Sequence, residues 1–181
     1  MIQLSEHFIN ILDNRSEKEK YLNEVSAIIL NSYDKIGGRP THDITDYLDD
    51  KYFWKLVKKN DKIVAAAIYK FDGENRKYNV VGTDGSSEGK AALFSIFKED
   101  IELFERGAYG EASGATEHIL VDKLGAKRIS NKTAQYLLKN KFNKQVISLN
   151  PDGYHYTRMI NGKSVEKVMI GNIPKEYLEI N

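Results

Sequence analysis

A strand-like segment, a glycine-rich turn and a helix-like segment follow one another between Val80 and Phe97. The turn reads Gly85-Ser86-Ser87-Glu88-Gly89-Lys90 and opens directly into the helical pattern. Backbone N–H groups in the first turn of a helix lack intrahelical partners, and together with the helix dipole they bind phosphate groups. Lys90 would add a positive charge there. The stretch therefore indicates either an anion-binding loop or an ordinary tight connection between two elements.

A second group of reactive side chains follows in the short segment "AYGEASG". If this segment is extended, Glu111 and Ser113 point to the same side, and partial burial there would perturb the carboxyl pKa. Glu117 and His118 come next within a helical pattern. Adjacent helical residues point about 100° apart, so this pair reads either as an acid/base couple or as part of a polar surface helix.

Aromatic and polar residues are concentrated in "DGYHYTRMI" near the C-terminal end. Strand alternation predicts that Tyr154, Tyr156 and Arg158 share one face, with His155 and Thr157 on the other. The aromatic rings of such a face suit the ordering of a substrate or the stacking of a nucleic-acid base. The lysines that follow closely in the sequence suit contacts with nucleic acid. The face equally suits a half-solvated sheet surface.

The hydrophobic pattern predicts the elements that position these groups. Helical spacing begins near Tyr21 and should stop at Gly37-Gly38, with Thr41 or Asp43 capping a short helix after it. Two antiparallel hairpins should then form from three strands, with turns at "NDK" and "DGEN". The predicted order is helices, three strands, a helix, a strand, helices and final strands, which is an α+β arrangement around a mixed, largely antiparallel sheet flanked by helices.

Composition narrows the classes of function. The 181 residues suffice for a single domain, with residues 1–20 read as an N-terminal helical extension and 172–181 as a C-terminal tail. A net charge of +1 gives no overall field for nucleic acid or anionic membranes, and the absence of cysteine excludes thiolate chemistry. No histidine spacing or known motif indicates a metal site. A cytoplasmic protein without a membrane anchor is expected, and the excess of lysine over arginine suggests a bacterial or viral source.

The order of elements from about 21 to 171 resembles that of GNAT-type N-acetyltransferases. In that family a hairpin pair leads into a strand, a glycine loop and a helix that hold acyl-coenzyme A. Gly89 and Ala91 match small residues of the family's loop, whereas Ser86 stands where the family has Arg or Gln, and Glu88 adds a carboxylate. The resemblance implies that 78–83 pairs with pantetheine, that 85–90 cradles the pyrophosphate and that 108–113 is the splayed neighbouring strand.

The implied cofactor is acetyl-coenzyme A or another acyl-coenzyme A, without a metal. The implied cofactor-binding residues are Val81, Thr83, Gly85, Ser86, Ser87, Gly89, Lys90 and Ala91. For the reaction, Glu111 is the expected base, Tyr154 or Tyr156 the expected acid, and Ser113 lies beside the base.

The resemblance thus predicts an acyltransferase that moves an acyl group from acyl-coenzyme A to an amine of a small molecule, a peptide or a nucleic acid. Two alternatives stay open at this point. One is a nucleic-acid-modifying protein of the same fold, of the kind found in viruses, and the other is a binding or structural protein that lacks the coenzyme. Nothing in the sequence indicates an oligomeric state.

Overall fold

The computed structural model describes residues 9–35, 43–72, 75–105, 107–160 and 162–179. The chain divides into two compact units, residues 1–98 and 99–181. The prediction of a single domain over residues 1–181 stays a prediction. The helices and strands are β1 (Ile9–Leu12), α1 (Arg15–Lys35), a 3₁₀ helix (Ile44–Leu48), β2 (Tyr52–Lys59), β3 (Lys62–Asp72), β4 (Asn75–Thr83), α2 (Ser87–Glu105), β5 (Tyr109–Ala112), α3 (Gly114–Glu117), a π-helix (His118–Lys123), α4 (Asn131–Phe142), β6 (Val146–Leu149), β7 (His155–Ile160), β8 (Lys163–Gly171) and α5 (Lys175–Leu178).

The first unit contains an antiparallel sheet in the order β1-β2-β3-β4. Asn60 and Asp61 connect β2 to β3, and both have positive φ, as the tight hairpin turn that matches strand twist requires. One face of this sheet packs against α1 through Val25, Ile29 and strand residues such as Trp54. Both predicted hairpins are therefore confirmed.

Two small residues let α1 lie close to this sheet. Ala66 pairs with Gly82 across β3 and β4, and a Cβ at Gly82 would lie 3.0 Å from the Cα of Ile29. The adjacent Ser32 hydroxyl donates to the carbonyl oxygen of Thr83 at 3.0 Å and accepts from its N–H at 2.9 Å. The end of β4 is thus fixed to the helix by two hydrogen bonds between the Ser32 side chain and the Thr83 backbone.

The second unit contains an antiparallel sheet in the order β5-β8-β7-β6. Helix α4 covers one face through Leu137 and Leu138, and the Ser130 hydroxyl caps this helix by accepting the Thr133 N–H. Asn131, at the start of α4, is buried and donates to the carbonyl oxygens of Asn150 and His155. This amide holds the turn that leads into β7.

The α+β class with antiparallel sheets flanked by helices is confirmed, and every strand pair among the described residues is antiparallel. The helical extension over 1–20 is corrected where the structure describes it, because 9–12 pair with β2 as a strand and α1 begins at Arg15. The C-terminal tail contains α5, whose Tyr177 packs on the core of the second unit. Gly37-Gly38 and Thr41 lie outside the described residues. Over the part of the chain that is described, no helix has the length and apolar character to cross a membrane.

Candidate functional site

The glycine-rich loop satisfies most of its own backbone donors. The Asp84 carboxylate accepts the N–H of Ser86 at 2.9 Å and also bonds to its hydroxyl. The Ser86 hydroxyl in turn accepts the N–H of Gly89 at 3.0 Å, and its carbonyl accepts the N–H of Lys90 at 3.0 Å. The N–H of Gly85 bonds to the Thr83 hydroxyl at 3.2 Å. Ser86 therefore acts as the N-cap of α2, with the Asp84 carboxylate bound where an anion would otherwise approach.

Gly89 is required by close packing. A Cβ at this position would lie 2.4 Å from the Asp84 carboxylate oxygen and 2.6 Å from the carbonyl oxygen of Val64. Real Cβ atoms do not approach other atoms so closely, so any side chain here would displace the loop from β3. Close packing of the loop against β3 is therefore sufficient to explain why position 89 is a glycine.

The edge of β4 presents one of the two residues expected to pair with pantetheine. Within the described residues, β4 pairs with β3 on one side and has no strand on the other. Both backbone groups of Thr83 are occupied by Ser32. Because backbone groups of every second strand residue point to the same edge, the N–H and C=O of Val81 point towards the open side. Val81 can therefore accept an extended ligand, whereas Thr83 cannot without losing its contact to α1.

A shallow cleft of about 320 Å³ adjoins the start of α2. Its lining combines two lysines with two acidic residues: Lys59, Asn60, Lys62, Val64, Asp84, Ser86 and Glu88. Lys59 forms an exposed ion pair with Glu88 at 2.8 Å. The ammonium group of Lys35 lies near Gly85, 2.6 Å from where a Cβ would be. The cleft thus has the lysines that a phosphate needs, one of which is paired with a carboxylate.

Lys55 lies in the interior of the first unit, 1% exposed. Its ammonium donates to the Tyr78 hydroxyl at 2.8 Å and to the carbonyl oxygen of Ile96 at 3.0 Å. It also lies over the rings of Tyr69 and Tyr78 at 5.3 and 5.5 Å. These contacts offset part of the cost of burying the charge.

Glu111 is the centre of a polar cluster in the second unit. Its carboxylate accepts both Nε and Nη2 of Arg158, at 2.7 and 2.6 Å, and the Tyr156 hydroxyl at 2.8 Å. The side chains of Arg158 and Glu111 are 7% and 11% exposed. Since β5 and β7 both flank β8, only long side chains such as these can reach across the intervening strand.

These contacts decide the ionisation of the cluster. Burial raises the pKa of Glu111, but the hydrogen bonds and charge of Arg158 and the Tyr156 hydrogen bond outweigh it, so the pKa is lowered. Burial and the Glu111 charge raise the pKa of Tyr156. A carboxylate held ionised by two donors is a weak proton acceptor, and a tyrosine with a raised pKa is a weak acid. The geometry therefore favours a positioning role for both residues over the expected base and acid roles.

Ser113 lies next to this cluster rather than within it. Lys167 of β8 donates to its hydroxyl oxygen at 3.4 Å. Lys167 is paired with Tyr156 in the sheet register, and Ser113 directly follows Ala112, which is paired with Val168. Tyr156, which alternation alone does not link to Glu111, lies on the same face through its hydrogen bond to the Glu111 carboxylate.

Tyr154 is not part of that face, which corrects its predicted position beside Tyr156. It lies before β7 begins and is 44% exposed. The alternation fails there because the Asp152 carboxylate accepts the N–H groups of Tyr154 and His155, at 2.8 and 2.9 Å, and holds them in a turn.

His155 lies between two carboxylates in a second cluster. Its Nε2 contacts both oxygens of Glu117, at 2.8 and 2.9 Å, and its Nδ1 bonds to Asp152. Glu117 also accepts Nε of Arg128 at 2.8 Å. Burial lowers the pKa of His155, yet the bonds to both carboxylates outweigh it and leave the pKa raised. His118 instead contacts Asp122 on the exposed surface, so the acid/base couple of Glu117 with His118, one of the two interpretations left open by the sequence, does not form.

The predicted absence of a metal site stays a prediction, although the described residues contain no group of three or more His, Cys, Asp or Glu that could hold a metal ion. Four residues that shape these sites escaped sequence reasoning: Asp84, Arg128, Asp152 and Lys55. Lys55 had a usable signal, because it interrupts the apolar run Trp54–Val57. The others depend on contacts that no local pattern encodes.

Comparisons with known proteins return a distant structural likeness. No protein-family model matches the chain, and no curated protein matches it. Twelve chains of solved structures match. One is the ribosomal-protein-S18-alanine N-acetyltransferase from Escherichia coli, at 15% identity and a TM-score of 0.48, covering 91% of this chain and 93% of that one.

Proposed function

We propose that this chain is an acyltransferase that takes an acyl group from acyl-coenzyme A and transfers it to an amine. The observation that carries the proposal is the continuity of two binding features in one short stretch. The open edge at Val81 leads within a few residues to the N-terminus of α2 and its lysine-lined cleft. An extended ligand with amides at one end and phosphates at the other fits this order of features.

Two parts of the donor, pantetheine and pyrophosphate, have matching groups. A pantetheine amide can pair with the N–H and C=O of Val81 in the manner of an added strand. The pyrophosphate lies at the start of α2, where the N–H of Ser87 has no hydrogen-bond partner among the described residues. Lys62 supplies charge from the cleft, and Lys59 does so after leaving Glu88.

Two carboxylates oppose this binding and make it conditional. The Asp84 carboxylate bonds to the Ser86 N–H that a phosphate would use, and Glu88 holds Lys59. Binding of the donor therefore requires Asp84 to turn away, at the cost of the bond it makes. Removing the charge of either residue should strengthen binding, with the gain shrinking at high salt.

In the reaction, the acceptor nitrogen attacks the thioester carbonyl, a C–N bond forms, the C–S bond breaks and the thiolate takes a proton. Within the second unit, Glu111 and Tyr156 position neighbouring side chains. Their mutual hydrogen bond and the Arg158 ion pair fix the face of the second sheet on which Ser113 lies.

Calorimetric titration with acetyl-coenzyme A tests the donor site. We expect binding to the parent protein, binding weakened about two- to fivefold by Lys62→Ala, the usual scale of one exposed charge contact, and binding strengthened by Glu88→Gln. Lys20→Ala, which removes an exposed lysine of α1, is the matched control and should bind like the parent. Absence of binding at millimolar ligand, or equal effects of the two lysine variants, would overturn the proposal.

A binding protein without the coenzyme is the second candidate, and the self-capped loop favours it. Asp84 and Ser86 already satisfy donors that a phosphate would need. Asp84→Asn distinguishes the two candidate functions. The amide oxygen of Asn can still accept the Ser86 N–H, whereas the negative charge is lost. The acyltransferase should then bind acetyl-coenzyme A more tightly, whereas the coenzyme-free protein should bind none in either form.

A further inference from the structure

Lys167 is an amine placed in unusual surroundings on β8. Its Nζ lies 3.4 Å from the hydroxyl oxygen of Ser113, which directly follows the neighbouring strand β5. The side chain is only partly exposed, in contrast to Lys163 at the start of the same strand, which is exposed. Lys167 thus has a hydroxyl neighbour at 3.4 Å and limited contact with water.

The charges around Lys167 come from three other elements. Glu111 of β5 favours the ammonium form, whereas Arg158 of β7 and Lys144, which follows α4, disfavour it. Glu111 is already neutralised by its bidentate bond to Arg158. Burial is the largest influence, and together with the two cations it lowers the pKa of Lys167 below the ordinary lysine value of 10.5.

We propose that Lys167 is a reactive lysine at which the protein is itself acylated by acyl thioesters. Its hydrogen bond to the Ser113 hydroxyl holds the amine in place. The uncharged amine is the nucleophile in acyl transfer, and a desolvated lysine beside other cations is activated for this role. Acylation of Lys167 does not require coenzyme A to bind, because any small thioester can serve as donor.

The reaction balances without a further reagent. The Nζ lone pair attacks the thioester carbonyl, a C–N bond forms and the C–S bond breaks. The amine loses a proton to water, and the thiolate leaves. The products are an amide on Lys167 and a free thiol, and the positive charge facing Arg158 is removed.

The test uses S-acetyl-N-acetylcysteamine, a thioester without the nucleotide portion of coenzyme A. The folded protein is incubated at neutral pH, and peptide mass spectrometry follows acetylation of each lysine with time. Lys167 should be acetylated faster than Lys163, because a lowered pKa leaves a larger fraction of its amine uncharged at neutral pH. The ratio of the acetylation rate of Lys167 to that of Lys163 should approach one as the pH reaches 10.5, the ordinary pKa of lysine.

Two controls keep the result interpretable. In urea both lysines lose their surroundings, so their rates should become equal. Lys167→Arg keeps the charge and should remove the fast phase while leaving acetylation of Lys163 unchanged. Equal rates in the folded protein, or labelling of Lys167 only after unfolding, would overturn the proposal. Either result would leave the coenzyme titration unaffected, because that experiment concerns residues of the first unit.

Discussion

Arg158→Met should strongly destabilise the second unit. The substitution removes the bidentate guanidinium from the Glu111 carboxylate, which is 11% exposed, and leaves it with the hydrogen bond from the Tyr156 hydroxyl. Breaking a buried ion pair from one side costs about 3–5 kcal/mol, because the surviving charge is left uncompensated. With a urea m-value of about 2 kcal/mol/M, this predicts a shift of the unfolding midpoint by about 1.5–2.5 M.

A double variant distinguishes the effect of leaving one buried charge unpaired from the effect of substituting the two positions. Glu111→Met combined with Arg158→Met removes both charges and leaves the Tyr156 hydroxyl without its acceptor, which costs about 1–3 kcal/mol. The double variant should therefore be more stable than Arg158→Met alone, and Glu111→Gln alone should also destabilise. Any loss of activity in Glu111→Gln must accordingly be measured per folded molecule.

Arg15→Met is the matched control. Arg15 pairs with Glu19 at 3.0 Å, but the two side chains are 65% and 53% exposed. An exposed pair of this kind contributes about 0–1 kcal/mol. Urea unfolding of the parent and the variants at neutral pH gives the comparison. A midpoint for Arg158→Met no lower than that for Arg15→Met would show that the buried pair does not stabilise the second unit.

Gly89→Ala should destabilise the first unit by about 1–3 kcal/mol, since the new Cβ meets two oxygens closer than 3.0 Å. Gly110→Ala is the control, because nothing lies within 4 Å of the added atom, and thermal unfolding should barely change. The contacts of His155 with Glu117 and Asp152 raise its pKa, so their contribution to stability is full below the ordinary histidine pKa of 6.5 and is lost as the pH rises through the raised folded-state pKa. His155→Gln should abolish that decline in pH-dependent unfolding, whereas His118→Gln should retain it; a parent protein with constant stability across neutral pH would contradict this role of His155.

Local pattern suffices for much of the fold. Alternating aromatic and β-branched residues indicate β2 to β4, and the turn at Asn60 and Asp61 has the chemistry that a tight hairpin needs. The start of α1 lies earlier than the apolar spacing predicts. Its first turns are polar, so they lack the helical spacing of apolar residues on which the prediction depends. The strand at 9–12 escapes prediction because so short a segment shows little alternation.

The candidate sites are less predictable, since their chemistry comes from long-range pairs. Glu111 and Arg158 are 47 positions apart, and His155 and Glu117 are 38 apart, so no sequence spacing links them. Alternation places Glu111 correctly on the sheet face but cannot reveal the partner that fixes its charge. The Asp152 turn, which carries Tyr154 away from β7, likewise depends on three-dimensional contacts.

The most direct test of acyl-coenzyme A binding is a two-dimensional amide NMR titration of the parent protein with acetyl-coenzyme A. We expect the largest shifts on the N–H groups of Val81 and 86–90, with saturation at sub-millimolar to millimolar ligand. The Ser86 N–H should move most, because it must leave the Asp84 carboxylate. Unchanged amide positions throughout this stretch at millimolar ligand would contradict the acyltransferase proposal and leave the loop as a self-capped connection.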